Sequence, residues 1–245
     1  MKNIDMFCLC LENNLLDRVN RLNYIPVGLG QNKFSPEWLL DSLGENISHK
    51  NKFYGEYTFH FWFWKNMLDK IPDNHWVGFC TYRRFWSSKR DITNNNNIYE
   101  TALSDIPIEW SDYDAIIGNK YHINEIKWIK IIKRGKIALL RNPLALFKSK
   151  QNIRFQFDMF HGNNVLDRAI ELLDDKDKQD FKNYVLNNSS FSPVNMFVCK
   201  SKIIMNEYYE TIFKWLSACE KEFGFNLLGY GKVRVYAFLA ERFLS

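Results

Sequence analysis

Short apolar runs alternate with segments of helical period along most of the chain, and that alternation predicts its elements. IDMFCLCL is an unbroken apolar run of the kind a buried strand shows, LLDRVNRL repeats its apolar residues at helical spacing, and YIPVGLG returns to a strand interrupted by Pro26, Gly28 and Gly30. In FSPEWLLDSL, Ser35 followed by Pro36 reads as a helix start, a capping hydroxyl and then a proline in the first turn. Residues 53–69, FYGEYTFHFWFWKNMLD, are apolar nearly all round a helical wheel, which predicts a buried helix rather than a surface one. WVGFCTY follows as a strand apolar on both faces, the mark of a central position in a covered, largely parallel sheet.

Beyond a polar loop at Asn94–Asn97, YDAIIGN predicts another strand and a basic stretch comes next. Helices follow around NNVLDRAIELL and DKQDFKNYVL, then the turn NNSSFSP, the strand NMFVCK, and two more helices in IIMNEYYETIFKWLSACEKEFG and VRVYAFLAERFL. The order predicts an α/β fold with a helical C-terminal third. No repeat and no Gly/Ser linker divides the chain, so one domain over 1–245 is expected.

Composition adds three constraints. Aromatics make up 16% of the 245 residues and include eight tryptophans, more flat apolar surface than packing alone requires, and sugar-binding clefts are one use for it. Five cysteines, Cys8, Cys10, Cys80, Cys199 and Cys219, form no CxxC pair, which argues against a disulfide framework or zinc knuckle and for a reducing, cytoplasmic setting. MKNIDMFCLCLENN is too short in apolar residues for a signal peptide, and no later run reaches the roughly 18 that a spanning helix needs.

Charge is uneven. The net is +5, yet nine positive charges (Lys127, Lys130, Lys133, Arg134, Lys136, Arg141, Lys148, Lys150 and Arg154) fall in the acid-free stretch between Glu125 and Asp158, leaving the remainder net acidic. This stretch reads either as a solvated face or as a patch resting on anionic lipid at the inner face of the cytoplasmic membrane. A nucleic-acid binder would use such charge too, but no helix-turn-helix, zinc or RNP pattern accompanies it, and no nucleic-acid partner is expected.

The candidate chemistry centres on Tyr82, Arg83 and Arg84, directly after the apolar run VGFC. Ligands of open α/β sheets bind beyond the carboxyl ends of the strands, and paired guanidiniums there match the oxygens of a diphosphate. The competing reading pairs one arginine with a core carboxylate and leaves the other in solvent. Glu56 and His60 share one stripe of the buried helix and Lys65 emerges near its far end, so each needs a partner, protein or ligand.

The words GENISHKNKFYGEYTFHFWFWKN, WVGFCTYRRFW, SPVNMFVCK and FLAERFL, in this order, resemble a family of bacterial capsule and lipopolysaccharide glycosyltransferases long catalogued as a domain of unknown function. Thr81 departs from that pattern, which commonly has histidine there, and Glu45 replaces an aspartate. The resemblance implies a single-domain GT-A-like, Rossmann-like fold with a mixed, mostly parallel sheet. It also implies transfer of a sugar from a nucleotide-sugar donor, expected to be a UDP-sugar, to a glycan or lipid-linked glycan acceptor. The positions carried over for donor binding are Gly28, Asn46, Ser48, Asn51, Tyr54, Trp64, Lys65, Asn66, Tyr82, Arg83, Arg84, Asn195 and Arg234.

For the catalytic role the candidates are Glu56, His161 and Glu241, with Asp158 also considered. Burial in the aromatic helix is expected to raise the pKa of Glu56, while Glu241, beside Arg242, reads equally as half of an ion pair. Trp62 and Trp64 are candidates for stacking on a base or sugar. Many such enzymes hold a divalent cation with an Asp-x-Asp pair, but Asp112-Tyr113-Asp114 precedes its apolar run instead of following it. The expectation is therefore transfer without metal or other cofactor, the arginines standing in for the cation. The alternative from another class is a non-catalytic scaffold in a glycan-assembly complex.

Overall fold

The computed structural model describes residues 4–87, 98–123 and 136–245. The Asn94–Asn97 loop and the basic positions Lys127, Lys130, Lys133 and Arg134 lie outside the described residues. The chain divides into two compact units that interleave in sequence, Met1–Ile117 with Met196–Glu210, and Gly118–Asn195 with Thr211–Ser245. Eight strands are found among the described residues: β1 (Ile4–Cys10), β2 (Ile25–Gly28), β3 (Leu39–Leu40), β4 (Trp76–Thr81), β5 (Ala115–Ile117), β6 (Tyr121–His122), β7 (Ser190–Phe191) and β8 (Phe197–Cys199).

The first unit is built on a sheet of order β3-β2-β1-β4-β8-β5. β1 pairs in parallel with β2 and β4, and β2 with β3, whereas β8 runs antiparallel to both β4 and β5. Only β8 is reversed, so the α/β fold with a mixed, mostly parallel sheet is the one expected. β1 and β4 are buried almost throughout, as a central pair covered on both faces requires. Gly78 in β4 leaves room for Met6, whose methyl would lie 2.6 Å from any added Cβ.

The helix Tyr57–Asn66 supplies the aromatic core of this unit. Its Phe59 and Phe63 rings sit 5.5 and 5.4 Å from Phe7 on β1, and Phe63 meets Phe79 on β4 edge-on at 5.1 Å. Each such ring contributes roughly 2–3 kcal/mol by leaving water. His60 is fully buried between Phe79 and Phe197, with Nδ1 3.1 Å from the Tyr209 hydroxyl, so a protein partner satisfies it.

Two local expectations are overturned. The single helix over 53–69 is instead Asn51–Tyr54 and Tyr57–Asn66, separated by Gly55 at φ +56° and ψ −131°, a conformation that side chains disfavour. FSPEWLLDSL is not a helix. The Ser35 carbonyl accepts the Trp38 N–H at 3.2 Å in a turn, and Leu39–Leu40 pair with Val27 and Gly28 as β3. Strand pairing and the seating of Phe34 over Gly28 outweigh the local cap signal; an added Cβ on Gly28 would stand 2.6 Å from that ring.

The second unit is mainly helical and carries the two-stranded pair β6-β7. Asn152 caps the helix Ile153–His161 by accepting the Phe155 N–H at 2.9 Å. The long helix Lys202–Phe223 begins in the first unit, and its Trp215 donates to the Ala169 carbonyl at 2.6 Å in the second. The final helix, Val235–Phe243, packs Phe243 against Phe181 and Trp215. No helix among the described residues is long and apolar enough to cross a membrane.

Candidate functional site

The chain runs from β1 outward to β2 and β3 and then crosses to β4 on the other flank of β1. The strand order therefore reverses between β1 and β4, and the carboxyl ends of these two strands frame the crevice where open α/β sheets take ligands.

Tyr82, Arg83 and Arg84 occupy that edge. The Tyr82 N–H donates to Leu9 O at 3.2 Å, extending the β1–β4 ladder by one residue. Thr81 and Arg84 exchange backbone hydrogen bonds, each 3.1 Å, so residues 81–84 close a tight turn with Tyr82 and Arg83 at its tip. Trp86 fixes the outgoing chain by donating its indole N–H to Phe79 O at 2.9 Å. Arg83 and Arg84 are exposed, and among the described residues neither forms an ion pair. The Arg83 guanidinium lies 4.7 Å from the Tyr82 ring centroid and donates to its hydroxyl.

The loop after β2 forms the neighbouring wall. Leu29 donates to Cys10 O at 2.9 Å, and the Gly30 N–H donates to Asp41 Oδ1 at 2.8 Å. Asp41 Oδ2 accepts from Thr58 Oγ1 at 2.6 Å, and Thr58 Oγ1 in turn accepts from the Asn51 amide at 3.0 Å. Asp41 is completely buried, and burial pushes its carboxyl up to about 6 against the hydrogen bonds from Thr58 and Gly30. The sequence reading missed Asp41. The available signal was an acid enclosed by apolar residues in WLLDSL, hidden by the helix assigned there.

Several expected donor contacts are spent on the fold itself. The Asn46 amide nitrogen donates to Ser42 O and Gly44 O at 3.0 and 2.8 Å, while its oxygen accepts from the Ser48 N–H and hydroxyl at 3.1 and 2.9 Å. Asn66 accepts from the Glu45 N–H at 3.2 Å and donates to Glu45 O and Trp62 O, both at 2.8 Å. Asn51 also donates to Gly55 O at 2.9 Å, holding the break between the two short helices. Asn46, Ser48, Asn51 and Asn66 thus shape the 42–50 loop and the helices behind it. Gly28 acts through Phe34 as described, and Tyr54 is buried.

Trp62 is buried, stacked on Phe59 at 5.4 Å with its N–H on Leu43 O, so it is not a stacking platform. Trp64 is half-buried and donates to Asn206 at 2.9 Å, with the exposed Lys65 ammonium 3.4 Å from its ring centroid. Glu56 is half-buried at the first turn of its helix, short of the deep burial assumed for it, which is found at Asp41. Asp112 and Asp114 are exposed and lie before β5, at its amino end.

In the second unit the structure brings together His161, Glu241 and Arg242. Arg242 is 2% exposed and donates to Glu241 Oε2 at 2.5 Å, Gln156 Oε1 at 2.9 Å and His161 Nε2 at 3.4 Å. His161 Nδ1 lies 3.0 Å from Gly231 O, so it carries the proton, and both ring nitrogens are engaged. Burial, then the adjacent Arg242 charge, lowers the imidazole to about 3. The ring is thus held neutral, with both nitrogens engaged by groups of the fold.

Glu241 Oε1 accepts the Val194 N–H at 2.5 Å and holds Val194 at φ +75°, a strained value for a β-branched residue. Its second oxygen is on Arg242, the ion pair that one reading of the sequence expected. Asn195, next in the same turn, donates to Ala237 O at 3.4 Å. Arg234 is half-buried, 5.7 Å from the Tyr230 ring centroid. Within the basic stretch, Arg141 bridges Asp158 and Asp167 at 2.7 Å each, and Arg154 grips Asp167 at 2.6 Å. These two arginines are internal cross-links. Burial raises Asp158 even so, while at Asp167 the arginines outweigh burial and lower it.

Residues 13–245 match the domain of unknown function DUF4422, so the chain belongs to that family. No curated protein matches it. Among solved structures, the apo form of WbbM, a bifunctional glycosyltransferase, superposes with a TM-score of 0.66 at 21% identity, over 98% of this chain and 41% of that one. The chain thus spans about two fifths of the length of WbbM. At this identity the likeness is one of fold, and it agrees with the GT-A-like architecture expected.

Proposed function

We propose that this chain is a glycosyltransferase that moves a sugar from a nucleotide-sugar donor, a UDP-sugar in the first instance, to a growing capsular polysaccharide or lipopolysaccharide acceptor. One observation carries the reading: two exposed guanidiniums, free of carboxylate partners among the described residues, stand at the strand-order reversal. An acceptor hydroxyl attacks the anomeric carbon, the bond from that carbon to the diphosphate oxygen breaks, and the nucleoside diphosphate leaves with the bonding pair. Negative charge grows on the diphosphate in the transition state. Arg83 and Arg84 are placed to neutralise it, keeping their charge at any working pH.

Asp41 supports this site from behind by fixing the Gly30 amide and with it the loop beyond β2. Glu56 remains the candidate for accepting the acceptor's proton. In this reading 1–245 works as one transferase domain, needs no divalent cation, and acts in the cytoplasm on a glycan held at the membrane's inner face.

Thermal-shift measurements with UDP-, GDP- and CMP-sugars test it, run on the wild type and on the Arg83→Ala/Arg84→Ala protein. A true donor at 100 times its dissociation constant stabilises the fold by about 2.7 kcal/mol, and the double variant should lose that response. A wild type indifferent to every donor, or a double variant that responds equally, overturns the reading.

A further inference from the structure

The segment 136–150 is built inside out. Its small residues face the protein, Ala138 at 2% and Ala145 at 0% exposure, while its large apolar ones face solvent: Ile137 58%, Leu140 81%, Leu144 59%, Leu146 46% and Phe147 65%. Five of the fourteen exposed large hydrophobic residues among those described fall in eleven consecutive positions, so this is a patch rather than scatter.

Fraying does not explain it. Arg141 is tied to Asp158, Asp167 and Asn164, and the buried Gln151 amide donates to Ala145 O at 3.0 Å. The helix Lys136–Arg141 and the 3-10 turn Pro143–Leu146 are held from beneath while their apolar side chains point away.

We propose that this face is a membrane-docking surface, its five apolar side chains immersed in the interfacial layer of an anionic bilayer. Charge complementarity selects the occupant. Exposed Lys136 and Lys150 flank the patch, and the sequence has no acid from residue 126 to residue 157 to repel lipid phosphates. The helix Lys136–Arg141 has six residues, far short of the roughly 20 needed to cross a bilayer, so the segment lies on its surface. Attachment therefore comes from apolar immersion with lysines beside it, not from the arginines, two of which are locked in ion pairs. The proposal stands apart from the chemistry at Arg83 and Arg84.

The test is co-sedimentation of the full chain with vesicles of phosphatidylcholine and phosphatidylglycerol, comparing wild type with Leu140→Ser/Leu144→Ser/Phe147→Ser. Each substitution should cost about tenfold in partitioning, with the thermal midpoint little changed. Separately, Leu140→Cys carrying an environment-sensitive dye, selective because the five native cysteines are buried, should shift to the blue on adding these vesicles. Binding by the triple variant equal to wild type, or a dye that stays aqueous, overturns the proposal. So does a wild-type dimer that the triple variant dissolves while vesicle binding is unchanged, which would assign the face to a second copy.

Discussion

Replacing Asp41 with asparagine should change how stability depends on pH. Burial moves this carboxyl from 3.8 to about 6 in the folded chain. A group with a raised folded pKa contributes stability that is fully present below its unfolded value and is lost as pH rises through the folded one. The gap of about two units corresponds to about 3 kcal/mol, lost between roughly pH 4 and pH 6. Asparagine keeps the acceptor for the Gly30 N–H and offers a donor to Thr58 Oγ1, whose own proton can turn to Gly55 O at 3.1 Å. The variant therefore retains the network without the titration. Urea unfolding of both proteins between about pH 4 and pH 7 should show asparagine gaining about 3 kcal/mol on the wild type as pH rises. Parallel curves, offset by a constant, would refute the claim that a buried charge at this position is the costly element.

Arg83→Ala and Arg84→Ala should each weaken nucleoside diphosphate binding by about tenfold to hundredfold, the range for a charge-assisted hydrogen bond, with unfolding curves superimposed on wild type; calorimetric titration reads both arms. Glu241→Gln keeps an acceptor for Val194 but strands the Arg242 charge, whose pKa burial already pulls down, and should cost about 3 kcal/mol in denaturant unfolding. Asn66→Ala removes two hydrogen bonds to Glu45 of the 42–50 loop and one to Trp62 O in its own helix, and should lower stability by about 1–2 kcal/mol while leaving nucleotide affinity unchanged.

The α/β order was legible because β1 and β4 are covered on both faces, so their apolar runs are unbroken and need no tertiary information to recognise. β3 was illegible for the opposite reason. It is two residues long, and its conformation comes from Val27 and Gly28 beside it rather than from the Ser35–Pro36 signal ahead of it. The break at Gly55 was written in the sequence but masked by the aromatic residues around it. For the candidate site, the placement of Arg83 and Arg84 at the end of a central strand was legible from position alone. Asp41 was not, because its importance lies in burial and in three partners from distant positions, Gly30, Thr58 and, through Thr58, Asn51.

The same geometry separates two kinds of polar residue in the sequence words. Asn46 and Asn51 bond backbone groups a few positions away and Asn66 reaches back to Glu45, and these side-chain hydrogen bonds close loops that would otherwise leave N–H and C=O groups unpaired. Glu241 and Arg242 do the equivalent for the strained turn at Val194. A side chain so engaged must break existing bonds before it can bind a ligand, and that cost cancels most of what the new contact supplies. Arg83 and Arg84 face no such cost beyond releasing the Tyr82 hydroxyl. The division follows from hydrogen-bond accounting: the asparagine and Glu-Arg words hold loops in place, and the arginine word is left with free charge, which is what the proposed chemistry on a diphosphate would call on.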